Sequence, residues 1–281
     1  MFVLVNLIVM LGMLFIVPAG LRLVDPVRLA PVRRIWPLFA VPGAVALWLP
    51  RGHGATALAV VYALGTLLPA AHALRRLAAT RSVAPAEIAV LTALVTPSVA
   101  GLALVAERTG HELFGFTLPI LALTVPHFHF AGFAAALVAG LVCGRADGPL
   151  ARFAALSVPI GTLGVLGGYF VDDWAELAGA LVLTAGMWAV ALVTWREVRS
   201  AERDPWTRAL LAVSAAVLVA TMLLALSWAV GEAAGLPHPN LTWMAATHGL
   251  GNALGFALCS VPAWRRIHDT RRTGSMKENA V

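Results

Sequence analysis

The sequence predicts an all-α, polytopic membrane bundle of about nine transmembrane helices, with the N-terminus outside and the C-terminus inside. Three observations carry that expectation. Apolar runs near 20 residues recur along the chain, the length of helix that crosses a bilayer. Hydrophobic residues make up 60% and charged residues only 12%, against roughly 25% charged in an average soluble domain. Finally, the cations gather on alternate connections, as the positive-inside rule requires.

The expected spans are 2–21, 35–50, 55–73, 87–106, 126–144, 152–171, 174–195, 208–231 and 241–263. The first lacks a basic leading region and is longer than the apolar core of a signal peptide, so it reads as a retained helix. The second is short for a crossing. The fourth begins at Glu87, which suits a helix start. Residues 113–125 are apolar but too few to span. Pro119 interrupts them, and Pro126 fits the first turn of a new helix. They read as a half-helix or interfacial segment over the outer mouth; the alternative is one kinked helix from 112 to 143. The seventh span opens on Asp173 as N-cap with Glu176 at N3, a capping box. Residues 1–264 form one transmembrane domain, and 265–281 a polar, basic cytoplasmic tail, disordered beyond its first turn. Cys143 and Cys259 read as small packing residues. Trp36, Trp48, Trp206 and Trp264 read as interfacial anchors, and His53, His72 and His268 as interfacial too.

Nine crossings from an outside start place 18 of the 20 cations inside. These include Arg22, Arg28, Arg33 and Arg34 in the first inner loop, and Arg265, Arg266, Arg271, Arg272 and Lys277 in the tail. Only Arg51 and Arg108 fall outside. Basic loops beside anionic lipid headgroups account for the net charge of +6 without nucleic acid. The expected location is the bacterial cell membrane.

The outer half then holds the acids Glu107, Glu112, Asp172, Asp173, Glu176 and Glu232, together with His111, His127, His129, His238 and His248. An ionisable side chain at membrane depth is expensive and calls for a reason. Two stretches carry most of this chemistry: Pro126–His127–Phe128–His129–Phe130–Ala131–Gly132–Phe133, and Thr247–His248–Gly249–Leu250–Gly251–Asn252–Ala253–Leu254–Gly255–Phe256. His248, Asn252 and Gly255 share one helical face, and His129, Gly132 and Ala136 another. Small residues on these faces let a neighbouring backbone approach. The stretches also share a skeleton, His129-x-x-Gly132-Phe133 and Asn252-x-x-Gly255-Phe256. His127 and His129 stand about 200° apart on a helix, so only an irregular start turns both into one pocket. His-x-His on a helix is poor chelating geometry, and no His-Glu-x-x-His spacing supports zinc, so no metal or other cofactor is expected. Asp172–Asp173–Trp174–Ala175–Glu176 resembles a diphosphate-binding acidic motif, but capping explains it more simply.

The two histidine stretches, with Glu112 shortly before them, resemble the YndJ-like family of bacterial membrane proteins. The resemblance is best over spans five to nine; the first four agree only in hydropathy. Some similar small membrane proteins are thought to cyclise epoxidised prenyl chains. The resemblance therefore implies a membrane cyclase or isomerase using acid–base chemistry on a hydrophobic, isoprenoid-type substrate. Glu112, His127, His129 and His248 are the candidate catalytic residues. Asn252, Phe130, Phe133, Trp228, Trp243, Asp172 and Glu232 are the candidate substrate-binding residues. The alternative is a transporter or ligand- or metal-binding membrane protein using the same groups; a structural or immunity-type protein is a third reading. The expected partners are a hydrophobic small molecule and the lipid bilayer, not nucleic acid.

Overall fold

The apolar runs do become helices. A computed structural model describes residues 2–146 and 148–278, with side chains described to residue 270. Ten helices follow one another: α1 (Phe2–Val24), α2 (Ala30–Ile35), α3 (Pro37–Ala46), α4 (His53–Thr80), α5 (Pro85–Thr109), α6 (Leu118–Arg145), α7 (Pro149–Gly168), α8 (Asp173–Val198), α9 (Pro205–Ala234) and α10 (241–278). Seven of them, α1 and α4–α9, are long and apolar enough to cross a membrane. All nine apolar segments of the sequence are helical among the described residues, but 35–50 contributes only the ten residues of α3. The chain is a helical membrane protein. Its outer surface bears Phe15, Leu64, Leu102, Ile160 and Leu163, each at least half exposed, as a face turned to hydrocarbon should.

α6 is the axis of the bundle. Its most apolar stretch is 78% buried, against 33% for α4 and α9. It packs against α1, α5, α7, α8 and α10. Helix α6 also settles the form of 113–125. The segment is not a separate half-helix: from Leu118 onward it belongs to one 28-residue helix, as the alternative had it, but that helix starts at Leu118 rather than 112, and 113–117 form a turn before it. Pro119 lies in its first turn, whereas Pro126 lies well inside. A proline there removes one intrahelical hydrogen bond and its ring crowds the carbonyl four residues earlier. The helix answers by widening to a π-helical stretch at Phe128–Ala134. A second stretch of the same length, Gly251–Ala257, occurs in α10.

Glycine sets the closest helix contacts. On α7, Gly161, Gly164 and Gly168 lie against the α8 backbone at Leu183, Gly179 and Glu176, where a Cβ would collide. On α10, Gly251 and Gly255 make room for the side chains of Thr221 and Val217 of α9.

Several boundary expectations are corrected. Trp36 and Trp264 are not interfacial anchors but are 1% and 2% exposed; Trp36 donates its indole N–H to the Met13 carbonyl at 2.7 Å. Trp48 and Trp206 are exposed. The N-cap of α8 is Asp172, whose side chain accepts from the Ala175 N–H at 2.7 Å, so Asp173 is the first helical residue. Residues 265–278 continue the α10 helix without a break; 279–281 lie outside the described residues. Glu87 does more than open α5: it accepts two hydrogen bonds from Arg76, at 2.5 and 2.7 Å.

At one end of the bundle, Arg22 pairs with Asp269 and Arg266 with Asp204, tying the end of α1 and the start of α9 to α10. At the other end, Glu107, only 2% exposed, takes both Arg51 and Arg108. These are the two cations that the charge pattern had left on the outer side, and each neutralises the same buried carboxylate.

Candidate functional site

An apolar cavity of about 220 Å³ opens between α6, α7, α8, α9 and α10, at the end of the bundle away from the arginine-rich loops. Its α6 wall is Thr124, His127, Phe128, Phe130 and Ala131. Val165, Leu166 and Tyr169 come from the end of α7, Glu176, Leu183 and Met187 from α8, and Met222 and Trp228 from α9. His248, Asn252 and Phe256 of α10 complete it. A smaller chamber of about 150 Å³ lies toward α1, bounded by Val5 and Ile8. It shares His127, Phe130, His248 and Asn252 with the first. Together they reach the lower end of ligand-pocket volumes, about 300–1,000 Å³.

The polar groups sit on opposite walls. His127 is half-buried, lines both chambers and meets the edge of Phe128, with ring centroids 5.6 Å apart. It has no hydrogen-bond partner among the described residues. His248 is held rigidly. Its Nδ1 lies 2.8 Å from the Thr221 carbonyl, which only accepts, so Nδ1 carries the ring proton. Nε2 is then an acceptor, and Asn252 Nδ2 donates to it at 3.1 Å. The other end of that amide accepts from the Thr221 hydroxyl at 2.8 Å. Thr221 thus fixes His248 twice, through its carbonyl and through Asn252. The i, i+4 spacing of His248 and Asn252 makes this clamp possible, and Gly251 lets α9 approach closely enough to close it.

Glu176 faces these histidines from the first turn of α8. Because Asp172 rather than Asp173 caps that helix, Glu176 falls one position beyond the capping box. Gly168 seats its backbone against α7. Tyr169 stands beside it. Burial first, and then the Glu176 carboxyl, push the Tyr169 phenol above its ordinary range. Phe116 meets Tyr169 and Phe170 edge to face, both at 5.3 Å between centroids. It is carried on a tight turn, Leu113–Phe116, whose central residues Phe114 and Gly115 have φ of 53° and 85°. A pair of positive φ values makes this the hairpin-type turn that glycine and asparagine favour, so Phe114 is strained.

The remaining candidates lie elsewhere. His129 is fully buried on the far side of α6, outside the cavity, where it shares a 2.5 Å hydrogen bond with the Tyr62 hydroxyl; its ring crowds Gly12. The irregular turn therefore does not bring His127 and His129 into one pocket. Phe133 is fully buried against Gly20 of α1, not on the cavity. Glu112 is exposed beside the Leu113–Phe116 turn and is not part of the cavity wall. Trp243 is 64% exposed. Asp172 is the α8 cap, and Glu232 pairs with His238 at 3.0 Å, which in turn stacks edge-on against Trp228. His127, His248, Asn252, Phe130 and Trp228 do meet at the cavity.

Neither Glu176, read from sequence as a capping residue, nor Tyr169 or Thr221 was among the candidate site residues. One signal was available for Tyr169. The chain has only two tyrosines, and each ends up beside a titratable group, Tyr62 on the buried His129 and Tyr169 near Glu176 of the cavity wall. Among the described residues, no three His, Cys, Asp or Glu side chains gather as a metal site.

Residues 7–256 match the family model described as YndJ-like protein, and the chain belongs to that family. No curated protein and no solved structure matches it.

Proposed function

We propose that this YndJ-like chain is a multi-pass protein of the bacterial cell membrane that isomerises or cyclises a hydrophobic, isoprenoid-type substrate by acid–base chemistry. One observation carries the reading: an unpartnered imidazole, His127, and a carboxyl group, Glu176, line one mostly apolar cavity. Glu176, with Tyr169 beside it, is the proton donor to an epoxide oxygen or an alkene carbon. Protonation leaves positive charge on the substrate. Phe116, Phe128, Phe130 and Trp228 present aromatic groups to it, each worth roughly 0.5–2 kcal/mol if a ring face meets the charge. His127 removes the terminal proton. One proton is given and one taken, so an isomerisation needs no co-reactant, and return of the proton from the His127 imidazolium to the Glu176 carboxylate resets the pair. His248 and Asn252, locked by Thr221, form a fixed polar wall that orients the substrate.

The acid assignment moves from Glu112 to Glu176 because Glu176 is in the cavity wall while Glu112 is exposed. Paired variants test it. In membranes supplied with an epoxyprenyl substrate, Glu176→Gln is expected to lower conversion about 100-fold or more, the usual scale of general acid catalysis. Glu112→Gln is expected to leave it unchanged. The reverse pattern restores Glu112, and wild-type membranes that bind or move an apolar solute without converting any favour the transporter reading.

With the arginine-rich end in the cytoplasm, the cavity opens toward the outer leaflet. Reporter fusions at Gly110 and Gly274 are expected on opposite sides of the membrane. Finding both on one side overturns this orientation.

A further inference from the structure

A second concavity lies at the opposite end of the bundle and has a different character. It is about 630 Å³ and runs between the second half of α1, helix α2 and α10. One part is apolar: Leu14, Phe15 and Pro18 of α1 face Leu258, Val261 and Pro262 of α10. The other part is cationic, lined by Arg22, Arg33, Arg34 and Arg265. No carboxylate enters the lining itself. Arg22 reaches Asp269 at 3.2 Å, and Arg33 donates to the Pro26 carbonyl at 3.2 Å. Neither Arg34 nor Arg265 has a hydrogen bond or ion pair among the described residues. The Nε atoms of both Arg33 and Arg265 are buried without a hydrogen-bond partner among the described residues.

This lining offers donors in search of acceptors. Buried donors without acceptors are destabilising, and four guanidiniums on one wall repel one another. Burial, and then Arg22 and Arg265, hold the Arg33 guanidinium below its ordinary range. A ligand that matches both parts is anionic, rich in acceptor oxygens, and joined to something apolar. Guanidinium matches phosphate oxygens in bidentate geometry. The apolar part opens sideways: Phe15 is 62% exposed and Leu258 39%. A free anion leaves that part unfilled, whereas a lipid fills both.

We propose that this groove is a binding site for an anionic glycerophospholipid, with the headgroup phosphate on Arg33, Arg34 and Arg265 and an acyl chain along Leu14, Phe15, Leu258 and Val261. Its occupant joins α1 to α10, the two helices whose cavity ends border the smaller chamber through Ile8 and His248.

The experiment uses the full-length protein, delipidated in detergent and titrated with phosphatidylglycerol, phosphatidylcholine or inorganic phosphate, with bound lipid counted by native mass spectrometry. Wild type is expected to hold one phosphatidylglycerol at least about tenfold more tightly than phosphatidylcholine, a preference consistent with a few basic side chains at an anionic headgroup. Arg33→Gln/Arg265→Gln is expected to lose that preference, while Arg208→Gln, an exposed arginine at the same end, keeps it. Equal affinity of wild type for the two lipids overturns the proposal, and that arm needs no variant to fold. Displacement of the lipid by millimolar inorganic phosphate alone reduces the site to an anion site and overturns the lipid assignment. Retention of the preference in the double variant overturns the arginine assignment.

Discussion

The wide turns at Phe128–Ala134 and Gly251–Ala257 are built alike. Each is seven residues long, and aligned residue by residue they pair His129 with Asn252, Gly132 with Gly255, Phe133 with Phe256 and Ala134 with Ala257. In both, the glycine admits a neighbouring helix, Thr96 of α5 in one case and Val217 of α9 in the other. In both, the phenylalanine is fully buried. The polar residue fares differently. His129 is sealed, with Tyr62 as its hydrogen-bond partner and no contact with the cavity. Asn252 is half-buried on the cavity wall and holds His248. The difference comes from the position of the helix. α6 is largely enclosed by its neighbours, and only its His127–Phe130–Ala131 side borders the two chambers, while His129 points away from both. α10 sits at the margin. A histidine inside a membrane helix is therefore not in itself a sign of chemistry; what surrounds it decides.

Three substitutions can break that division, taken from the largest expected effect to the smallest. His127→Ala removes the unpartnered imidazole. Turnover of an epoxyprenyl substrate is expected to fall about 100-fold or more, with unfolding stability in detergent changed by less than about 1 kcal/mol. His129→Ala is expected to do the converse. It leaves a void and an unpaired Tyr62 hydroxyl in the core, a loss of about 3 kcal/mol. Thermal unfolding should register that loss, and turnover per folded molecule should not move. If His129→Ala abolishes turnover while the melting curve stays put, the sealed and open turns share one function and the comparison fails. Asn252→Leu falls between the two. It strips His248 Nε2 of its donor, while the Thr221 hydroxyl falls back on the Val217 carbonyl at 2.9 Å, so a stability loss of about 1 kcal/mol and a turnover loss of about tenfold are expected together.

Helical period made much of this arrangement readable. The i, i+4 relation of His248 and Asn252 and the opposed directions of His127 and His129 both follow from residues per turn. The shared skeleton of the two histidine stretches was visible as well, though not its consequence, two equal π-helical turns. Other features escaped for local reasons. Either of two adjacent aspartates could cap α8, and only tertiary structure selects Asp172. That one-residue difference moves Glu176 from a capping role to the cavity wall. Trp36 and Trp264 lie near apolar segment ends, where an indole normally anchors at the interface, yet neighbouring helices bury them. Pro126 looked like a beginning because prolines often start helices. Its cost inside α6 was met instead by widening the turn, which no local rule predicts.

The Phe114–Gly115 turn gives the cavity mouth a particular mechanics. A bulky residue in the left-handed region carries roughly 1–2 kcal/mol of backbone strain, and at Phe114 nothing buries the side chain in compensation, since it is 72% exposed. The turn holds Phe116 against Tyr169 and Phe170, contacts worth roughly 0.5–1.5 kcal/mol each. The two quantities are of similar size and opposite sign. The aromatic latch is thus preloaded: letting go of Tyr169 and Phe170 lets Phe114 relax, so the net work of opening is small. The balance at the mouth is therefore set in part at Phe114, a residue that is not itself in the cavity wall.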